Sequence, residues 1–261
     1  MKNRFVALFV CVLLVLGAFP ITAESTDITI SLADLGENAE IHTALQQKYL
    51  DDSTEHVSPY ARGTAELSNP EPVVFKWDSN ADVGAVYQLS VSENADMSMP
   101  RRFSVAGTKY EVYNFRPDTR YYWTVSTAGV TSKVATFKTE NELPYNICVD
   151  GVTTVRDCGG WSTSDGGRVR FGMMYRCGKL HENGDEFIPL ISKKGIKTMH
   201  DELGIKTEID LRGEYYGPQK SALGDDVKYC QTPMEYTNTV LEDINYASLR
   251  EIFAVLAEES S

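Results

Sequence analysis

The sequence has little positive charge. Its 261 residues include 25 Lys and Arg against 37 Asp and Glu, which gives a formal net charge of −12. Proteins bind nucleic acids and anionic membranes through Lys and Arg side chains that displace counterions. The composition therefore argues against nucleic acid as a partner. It also makes any local group of arginines stand out.

The sequence also lacks the cysteine spacing of a zinc site. Five cysteines are present, and no two of them form a C-x-x-C pair. We therefore expect no bound metal, and nothing else in the sequence calls for a cofactor. Four of the cysteines follow the N-terminal segment: Cys148, Cys158, Cys177 and Cys230. They allow two disulfides in any of three connectivities, and one disulfide or buried thiols are the simpler alternatives.

No apolar run is long enough to span a membrane comfortably. The longest, "FVALFVCVLLVLGAF", follows the basic start "MKNR" and ends before Pro20. This pattern predicts a signal peptide over residues 1–23, cleaved after Ala23, and an uncleaved anchor is the alternative. Without Lys2 and Arg4 of that leader, 23 basic residues remain against 37 acidic ones, a net charge near −14. We expect an exported protein, secreted, extracellular or in the cell envelope, with no stable membrane insertion after cleavage.

Residues 24–71 are predicted to be an N-terminal lead-in with a short helix. "DITISLADLG" alternates briefly like a strand. In "NAEIHTALQQKYLDD" we expect a helix with Asn38 as N-cap and a stripe of Ile41, Leu45 and Tyr49. His42, beside that stripe, is expected on the solvent side or half-buried. The turn-rich residues 51–72 that follow are expected to be a linker.

The pattern changes to short strands over residues 72–139. Six segments alternate apolar and polar residues between turn residues, which predicts an all-β sandwich. "NFRPDTRYYWTV" within it resembles the fibronectin type III signature, in which a tyrosine hydroxyl bonds back to the backbone at a corner. Four aromatic residues are predicted to lie in the core, with a carbohydrate-binding platform as the minor alternative: Trp77, Tyr87, Tyr121 and Trp123.

The third region, residues 143–261, alternates helices and strands. "ISKKGIKTMHDELG" has the spacing of a helix that ends at Gly204, with His200 on its apolar face. "IKTEIDLR" and "VKYCQTPM" are predicted strands, and the chain ends in a predicted helix. The order helix, strand, strand, helix indicates an α/β domain with a partly parallel sheet. Leu249, Ile252, Phe253 and Leu256 are predicted to form the buried stripe of the last helix, and His181 is expected in a surface loop.

Three ordered motifs in this region carry a second resemblance. They are "RDCGG" at residues 156–160, "YRCG" at 175–178 and "DLR" at 210–212. In this order they resemble the first half of a family of bacterial tyrosine-phosphatase-like proteins of the cysteine-dependent, dual-specificity type. The sequence departs from that pattern at Thr153 and Thr154, where the family has asparagine, and at Cys177, where many members have serine or threonine.

The resemblance implies a chemistry and a set of roles. In the family a thiolate attacks phosphorus, a carboxylic acid protonates the leaving oxygen, and backbone N–H groups with an arginine hold the phosphoryl oxygens. By resemblance Asp210 is the general acid and Arg212 orients it or pairs with Glu214. Arg156 and Asp157 brace the phosphate loop, and Arg176 lines the pocket. The alternatives are structural: Asp210 and Arg212 cap the turn after a strand, and Arg156 and Asp157 form an internal ion pair.

The nucleophile of that chemistry is missing. It requires a cysteine followed six residues later by arginine, and none of the five cysteines has one. We therefore predict a multidomain protein, a fibronectin-like sandwich followed by an incomplete α/β phosphatase domain that stops before the Cys-x5-Arg loop. The implied substrates are phosphotyrosine in proteins or phosphoinositides. The chain alone is predicted to be inactive, and the alternative function is a non-catalytic binding or adhesion module. The sequence does not indicate an oligomeric state.

Overall fold

The computed structural model describes residues 27–52, 68–182, 187–213, 219–234 and 243–259. The predicted signal peptide and Glu214 lie outside these ranges. None of the helices in the described part combines the length and hydrophobicity needed to cross a bilayer. Within the same part, no group of three or more His, Cys, Asp or Glu side chains is arranged to hold a metal ion.

Most of the secondary-structure elements in the described chain are β-strands, and eight of these strands form two sheets around one aromatic core. One sheet has the order β1-β2-β5, formed by β1 (Ile30–Leu32), β2 (Val73–Ser79) and β5 (Lys109–Val112). The other has the order β4-β3-β6-β7, with β8 also paired to β6. Its strands are β3 (Val86–Ser92), β4 (Arg101–Ala106), β6 (Arg120–Thr127), β7 (Val130–Thr131) and β8 (Ala135–Lys138).

The strands alternate between buried and exposed residues, which is why they form two facing sheets. In β6, every second residue from Tyr121 to Thr127 is buried, and β2 shows the same period. Apolar side chains from both sheets therefore meet in one layer, as the predicted β-sandwich requires. Trp77, Tyr87, Tyr121 and Trp123 are all at most 5% exposed, so the prediction that they lie in the core is confirmed.

The corner before β6 has the predicted tyrosine hydrogen bond. The backbone N–H of Arg116 donates to Tyr121 Oη at 2.9 Å. Asp118, between them, has a positive φ of 51°, and its backbone N–H donates to the carbonyl oxygen of Glu140. The hydroxyl therefore satisfies a backbone donor in a turn that leaves the regular sheet.

The N-terminal segment packs on the sandwich. Strand β1 pairs antiparallel with β2, and Ile41 joins the aromatic core. Helix α1 (Ala44–Asp51) begins later than predicted. Its N-cap is Thr43, whose side chain and that of Gln46 form a reciprocal capping box, so the assignment of Asn38 as N-cap is wrong.

His42 is buried, contrary to expectation, with 4% of its surface exposed. Its Nδ1 lies 2.8 Å from Glu140 Oε1, and its Nε2 lies 2.9 Å from the carbonyl oxygen of Pro144. The ring therefore lies between two oxygen atoms from the chain that leaves the sandwich. The Glu140 oxygen also accepts from the backbone N–H groups of Ile41 and His42, which attaches the N-terminal segment to the chain leaving the sandwich.

The region after the sandwich has its own core and two small sheets. One is antiparallel, in the order β11-β10-β9, with β9 (Tyr145–Asn146), β10 (Arg156–Asp157) and β11 (Tyr175–Arg176). The other pairs β12 (Thr207–Asp210) with β13 (Lys228–Gln231) in parallel. A parallel strand pair and flanking helices agree with the expected helix and strand order, while the incomplete α/β phosphatase domain stays a prediction.

The helices of this region differ from the predicted ones in detail. Helix α2 (Lys193–Ile196) continues as a π-helical turn (Lys197–Glu202), and Gly204 follows with a φ of 69°, as a C-terminal stop requires. His200 is not in the core, because its ring lies between the carboxylates of Asp201 and Asp226 at 2.8 and 2.9 Å.

The last helix, α3 (Asp243–Glu259), buries a different stripe from the predicted one. Val255 is 8% exposed and Ser248 is 9% exposed, whereas Phe253 is 67% exposed. The expectation that Phe253 faces the core is therefore wrong. Leu249, Ile252 and Leu256 are half-buried, in partial agreement with the predicted stripe.

Hydrogen bonds connect the sandwich to the region that follows it. The side chain of Asn114 accepts from the backbone N–H of Cys148 at 2.7 Å and donates to its carbonyl oxygen at 3.1 Å. The hydroxyl of Tyr145 donates to the carbonyl oxygen of Asn114 at 3.0 Å. The side-chain amide of Asn114 thus makes the same two hydrogen bonds to the backbone of Cys148 that a residue on a neighbouring strand would make. Cys148, Cys158 and Cys177 are half-buried thiols, and none of the three forms a disulfide within the described part of the chain.

Candidate functional site

Asp210, the predicted general acid, is the last residue of β12 and is 7% exposed. Arg212 holds it with Nε, 2.9 Å from Oδ1, and with Nη2, 2.6 Å from Oδ2. The backbone N–H of Arg212 also donates to Oδ1 at 2.9 Å, and the hydroxyl of Tyr229 donates to Oδ2 at 2.8 Å. Asp210 therefore accepts from three sources, and Arg212 orients it, which was one of the two predicted roles for that arginine.

His181 completes this cluster and is fully buried, so the expectation of a surface loop is wrong. Nη2 of Arg212 lies 2.7 Å from Nε2 of His181, and Nη1 donates to the backbone carbonyl oxygen of His181 at 3.0 Å. Because a guanidinium only donates, Nε2 of His181 is the acceptor. The proton therefore lies on Nδ1, which donates to the carbonyl oxygen of Glu182 at 3.0 Å.

The electrostatics of the cluster keep Asp210 ionised. Burial acts to raise the pKa of this carboxyl, but the hydrogen bonds from Arg212 and Tyr229 outweigh it, and the net pKa is lowered. Two residues earlier on the same strand, burial raises the pKa of Glu208, and the charge of Asp210 adds to the effect. The pKa of the Tyr229 hydroxyl is raised by burial and by Asp210. The arrangement therefore favours an ionised Asp210 beside the guanidinium of Arg212.

Asp157 lies within a hairpin, and its predicted role of bracing a phosphate loop together with Arg156 stays a prediction. It is 1% exposed, and its two oxygens accept from the backbone N–H groups of Gly159 and Gly172, each at 2.7 Å. Its contacts include no ion pair with Arg156 in the described part of the chain. The carboxylate therefore fastens one strand of a hairpin to the loop before β11. Burial raises its pKa, although both of these hydrogen bonds oppose the rise.

The two glycines of "RDCGG" are explained by this hairpin. A Cβ on Gly159 would lie 2.6 Å from the Cα of Phe171, so only glycine allows the two backbones to approach so closely. Gly160 has a φ of 88°, and a Cβ there would lie 2.7 Å from the ring of Phe171. The motif thus encodes a close contact between two strands.

Arg156 and Arg176 lie opposite each other on β10 and β11. Asn146 on β9 is the other direct neighbour of Arg156, so the three residues form a row on one face of the sheet. Cys177, next to Arg176, faces the opposite way. Burial raises the pKa of its thiol to about 11, and the carboxylates of Glu208 and Asp210 contribute to the rise.

The structure therefore divides the five predicted site residues into three places. Asp210 and Arg212 lie together on the inner side of β11. Arg156 and Arg176 lie together on its outer side. Asp157 holds the hairpin between them. Sequence analysis missed His181 and Tyr229. The pairing of Glu208 with Tyr229 in the parallel register places that tyrosine near Asp210, but only the sheet reveals it.

Three of the thiols in the described part of the chain are not prepared as nucleophiles. Burial raises the pKa values of Cys148, Cys158 and Cys177, and this favours the protonated form. What the arrangement offers is a fixed carboxylate and arginine at the carboxyl end of a parallel strand. In α/β proteins this end of the sheet is the usual position of a ligand site.

Residues 147–258 match the sequence model of the tyrosine phosphatase family. That tyrosine phosphatase region contains all five predicted site residues and both residues that sequence analysis missed. No curated protein sequence matches the chain. The solution structure of the fibronectin type III domain of human contactin 1 is similar to part of it, at 18% identity over 28% of this chain and 69% of that chain, with a TM-score of 0.26.

Proposed function

We propose that the protein is an exported phosphomonoester hydrolase of the protein-tyrosine-phosphatase type. The observation that carries this proposal is the tyrosine phosphatase match over residues 147–258, with Asp210 and Arg212 fixed at the end of β12. The proposed organisation is a signal peptide (1–23), a lead-in (24–71), a fibronectin type III-like sandwich (72–139) and the N-terminal portion of the phosphatase domain (143–261). The enzyme acts outside the cell or in its envelope.

The proposed reaction has two steps. A cysteine thiolate, in a Cys-x5-Arg loop encoded beyond Ser261, attacks the phosphorus. The S–P bond forms while the P–O bond to the leaving group breaks, and Asp210 gives the leaving oxygen a proton. Water then attacks the phosphorus of the cysteinyl phosphate while the ionised carboxylate of Asp210 takes a proton from that water. The S–P bond breaks, which releases inorganic phosphate and regenerates the thiolate. The ionised state supported by Arg212 and Tyr229 suits this second step, and Asp210 must take up a proton before the first.

The family match supports a phosphorylated substrate. Phosphorylated side chains of proteins, above all phosphotyrosine, are the proposed substrates, and phosphoinositides are the second class. The proposal requires no cofactor and no nucleic acid. Burial of Cys158 and Cys177 supports placing the nucleophile elsewhere, because a buried thiol with a raised pKa is a poor nucleophile at neutral pH.

The test compares residues 24–261 with a version extended through the coding sequence that follows Ser261. Both are assayed on a phosphotyrosine peptide, a phosphoserine peptide and a phosphoinositide. We expect turnover by the extended version alone, and its loss when the cysteine of the Cys-x5-Arg loop is replaced by serine. Turnover by residues 24–261 that Cys158→Ser or Cys177→Ser abolishes would contradict our placement of the nucleophile. An extended version without such a loop and without turnover would favour the non-catalytic binding module.

A further inference from the structure

Two arginines lie side by side on the outer face of the β9–β11 sheet. Arg156 and Arg176 are direct partners in the antiparallel register, so their Cα atoms are roughly 4.5–5.5 Å apart and their side chains leave the same face. Like charges in this relationship destabilise a sheet. Arg176 is exposed and Arg156 is half-buried. The pair is therefore costly unless something negative accompanies it.

The described residues contain no carboxylate that pairs with either arginine. Asp157, the nearest acid in sequence to Arg156, leaves the opposite face, and its oxygens are taken by Gly159 and Gly172. The described acids that do form ion pairs use other partners. The two guanidinium groups thus present up to ten N–H donors, and no carboxylate among the described residues neutralises them.

The thiol of Cys158 lies within the electrostatic influence of both arginines. It follows Arg156 by two residues, so both leave the same side of the strand, and its backbone N–H bonds to the carbonyl oxygen of Met174 across the hairpin. Burial and Asp157 raise the pKa of its thiol, while Arg156 and Arg176 both act to lower it. Both arginines are therefore close enough to favour a negative charge at that position.

The row also contains a neutral donor. Asn146 is the partner of Arg156 on β9, on the same face as the two arginines. Two guanidinium groups and an amide form a linear set of donors, which suits the several oxygens of one oxyanion. Asp210 and Arg212 are not part of this set: Asp210 acts on the thiol of Cys177, which follows Arg176 directly and so leaves the opposite face.

We propose that Arg156, Arg176 and Asn146 form an oxyanion-binding site on the outer face of this sheet, separate from the Asp210–Arg212 cluster. Its ligand is a phosphoryl group, either free phosphate or the phosphorylated side chain of a peptide. The site does not depend on the missing nucleophile, so binding here and turnover in an extended protein succeed or fail independently.

Titration of residues 24–261 with inorganic phosphate and with a phosphotyrosine peptide tests the proposal, at constant ionic strength set with chloride. Calorimetry measures affinity. Mass spectrometry after brief alkylation measures how fast Cys158 reacts, with Cys148 as the reference thiol. We expect saturable binding of one equivalent that slows alkylation of Cys158 and leaves Cys148 unchanged. Tighter binding of the peptide than of phosphate, with its unphosphorylated form inactive, would identify the phosphorylated segment as the ligand. Equal affinity would identify free phosphate.

The variants locate the site. Arg156→Gln and Arg176→Gln should each weaken binding about tenfold or more, the effect of losing a charge-assisted hydrogen bond. Arg102→Gln is the matched control, because it removes one exposed arginine from β4 of the sandwich and should leave binding unchanged. If Arg156→Gln fails to fold, the exposed Arg176 carries the test. Absence of saturable binding, or equal loss in Arg102→Gln, would overturn the proposal.

Discussion

Arg212 binds the carboxylate of Asp210 in a bidentate manner, with Nε 2.9 Å from Oδ1 and Nη2 2.6 Å from Oδ2. The two residues are separated by a single position, so the pair is built into the turn that ends β12. Such a pair lowers the pKa of Asp210, because the ionised form has the most hydrogen-bond partners, and the carboxyl is therefore seldom protonated and able to donate a proton. A catalytic role for Asp210 as an acid therefore requires Arg212 to release it during the reaction.

Asp210→Asn distinguishes an acid from a structural residue. In a form of the protein that carries the nucleophile, we expect a rate loss of roughly 10²–10⁴-fold for substrates with poor leaving groups, the usual size of general acid catalysis. An aryl phosphate whose oxygen needs little protonation should lose much less. Steady-state kinetics on both substrates measure the difference. An equal loss on both would mean that Asp210 positions Arg212, and no loss on either would remove it from the mechanism.

Tyr121→Phe tests the corner of the sandwich. The change removes the acceptor of the Arg116 backbone N–H and leaves that donor without a partner beside a buried ring. We expect the free energy of unfolding to fall by about 1–3 kcal/mol, measured by urea denaturation. Tyr122→Phe, on the neighbouring position of β6, is the matched control and should leave stability unchanged. Equal stability of the two variants would contradict a structural role for the hydroxyl.

Local patterns were enough to predict the sandwich. Alternation along β2 and β6 identified which side chains face inward, and "RPDTRYYW" identified the corner of Tyr121, because both depend on neighbours within a few positions. The end of the helix before Gly204 was predictable for the same reason. These features follow from backbone geometry that the nearby sequence dictates.

The histidines show what local patterns miss. His42 is buried because its ring forms a hydrogen bond with Glu140, 98 residues away. His181 is buried because Arg212, 31 residues away, donates a hydrogen bond to its Nε2. His200, on an apolar stripe, lies outside the core because Asp226 reaches it from another loop. Arg176 and Asp210 are likewise separated because they lie on opposite sides of β11. None of these partners can be read from the residues next to the histidine.

Glu208→Gln should stabilise the protein at neutral pH. Burial raises the pKa of Glu208 in the folded state above its unfolded value, so its ionisation disfavours folding. Stability is therefore lost as the pH rises from the unfolded pKa through the folded one, and it stays lower above that window. The glutamine keeps an oxygen for the hydroxyl of Ser221, which donates to Glu208 Oε2 at 2.7 Å. Urea denaturation should show a gain at pH 7 and little change near pH 4, and a gain of equal size at both would contradict the pKa direction.

Glu140 holds the N-terminal segment through a single oxygen. Oε1 accepts from the backbone N–H groups of Ile41 and His42 and from the ring of His42. Glu140→Ala leaves those buried donors unsatisfied, at about 1–3 kcal/mol for each N–H, whereas Glu140→Gln keeps an acceptor for them. We expect the alanine variant to lose clearly more stability than the glutamine variant in urea denaturation. The reverse order would show that the charge of Glu140, and not its oxygen, holds the segment.

Gly159→Ala tests whether the "GG" of "RDCGG" serves a close approach of two backbones. The added Cβ would lie 2.6 Å from Cα and 2.7 Å from N of Phe171, and neither backbone atom can move without opening the hairpin. Opening it also lengthens the two hydrogen bonds that Asp157 accepts from Gly159 and Gly172. We expect a loss of about 1–3 kcal/mol in the free energy of unfolding, the usual effect of overpacking.

Gly36→Ala is the control for this prediction, because Gly36 has a φ of 75° and open space around it. Its cost is the backbone strain of a left-handed residue, about 1–2 kcal/mol, with no clash. Stability alone therefore does not separate the two variants, and hydrogen exchange at the Gly172 amide does. That amide should exchange faster in Gly159→Ala, because its acceptor Asp157 moves away, and should stay protected in Gly36→Ala. Unchanged protection in both variants would mean that the hairpin accommodates a side chain at residue 159, and that the motif needs another explanation.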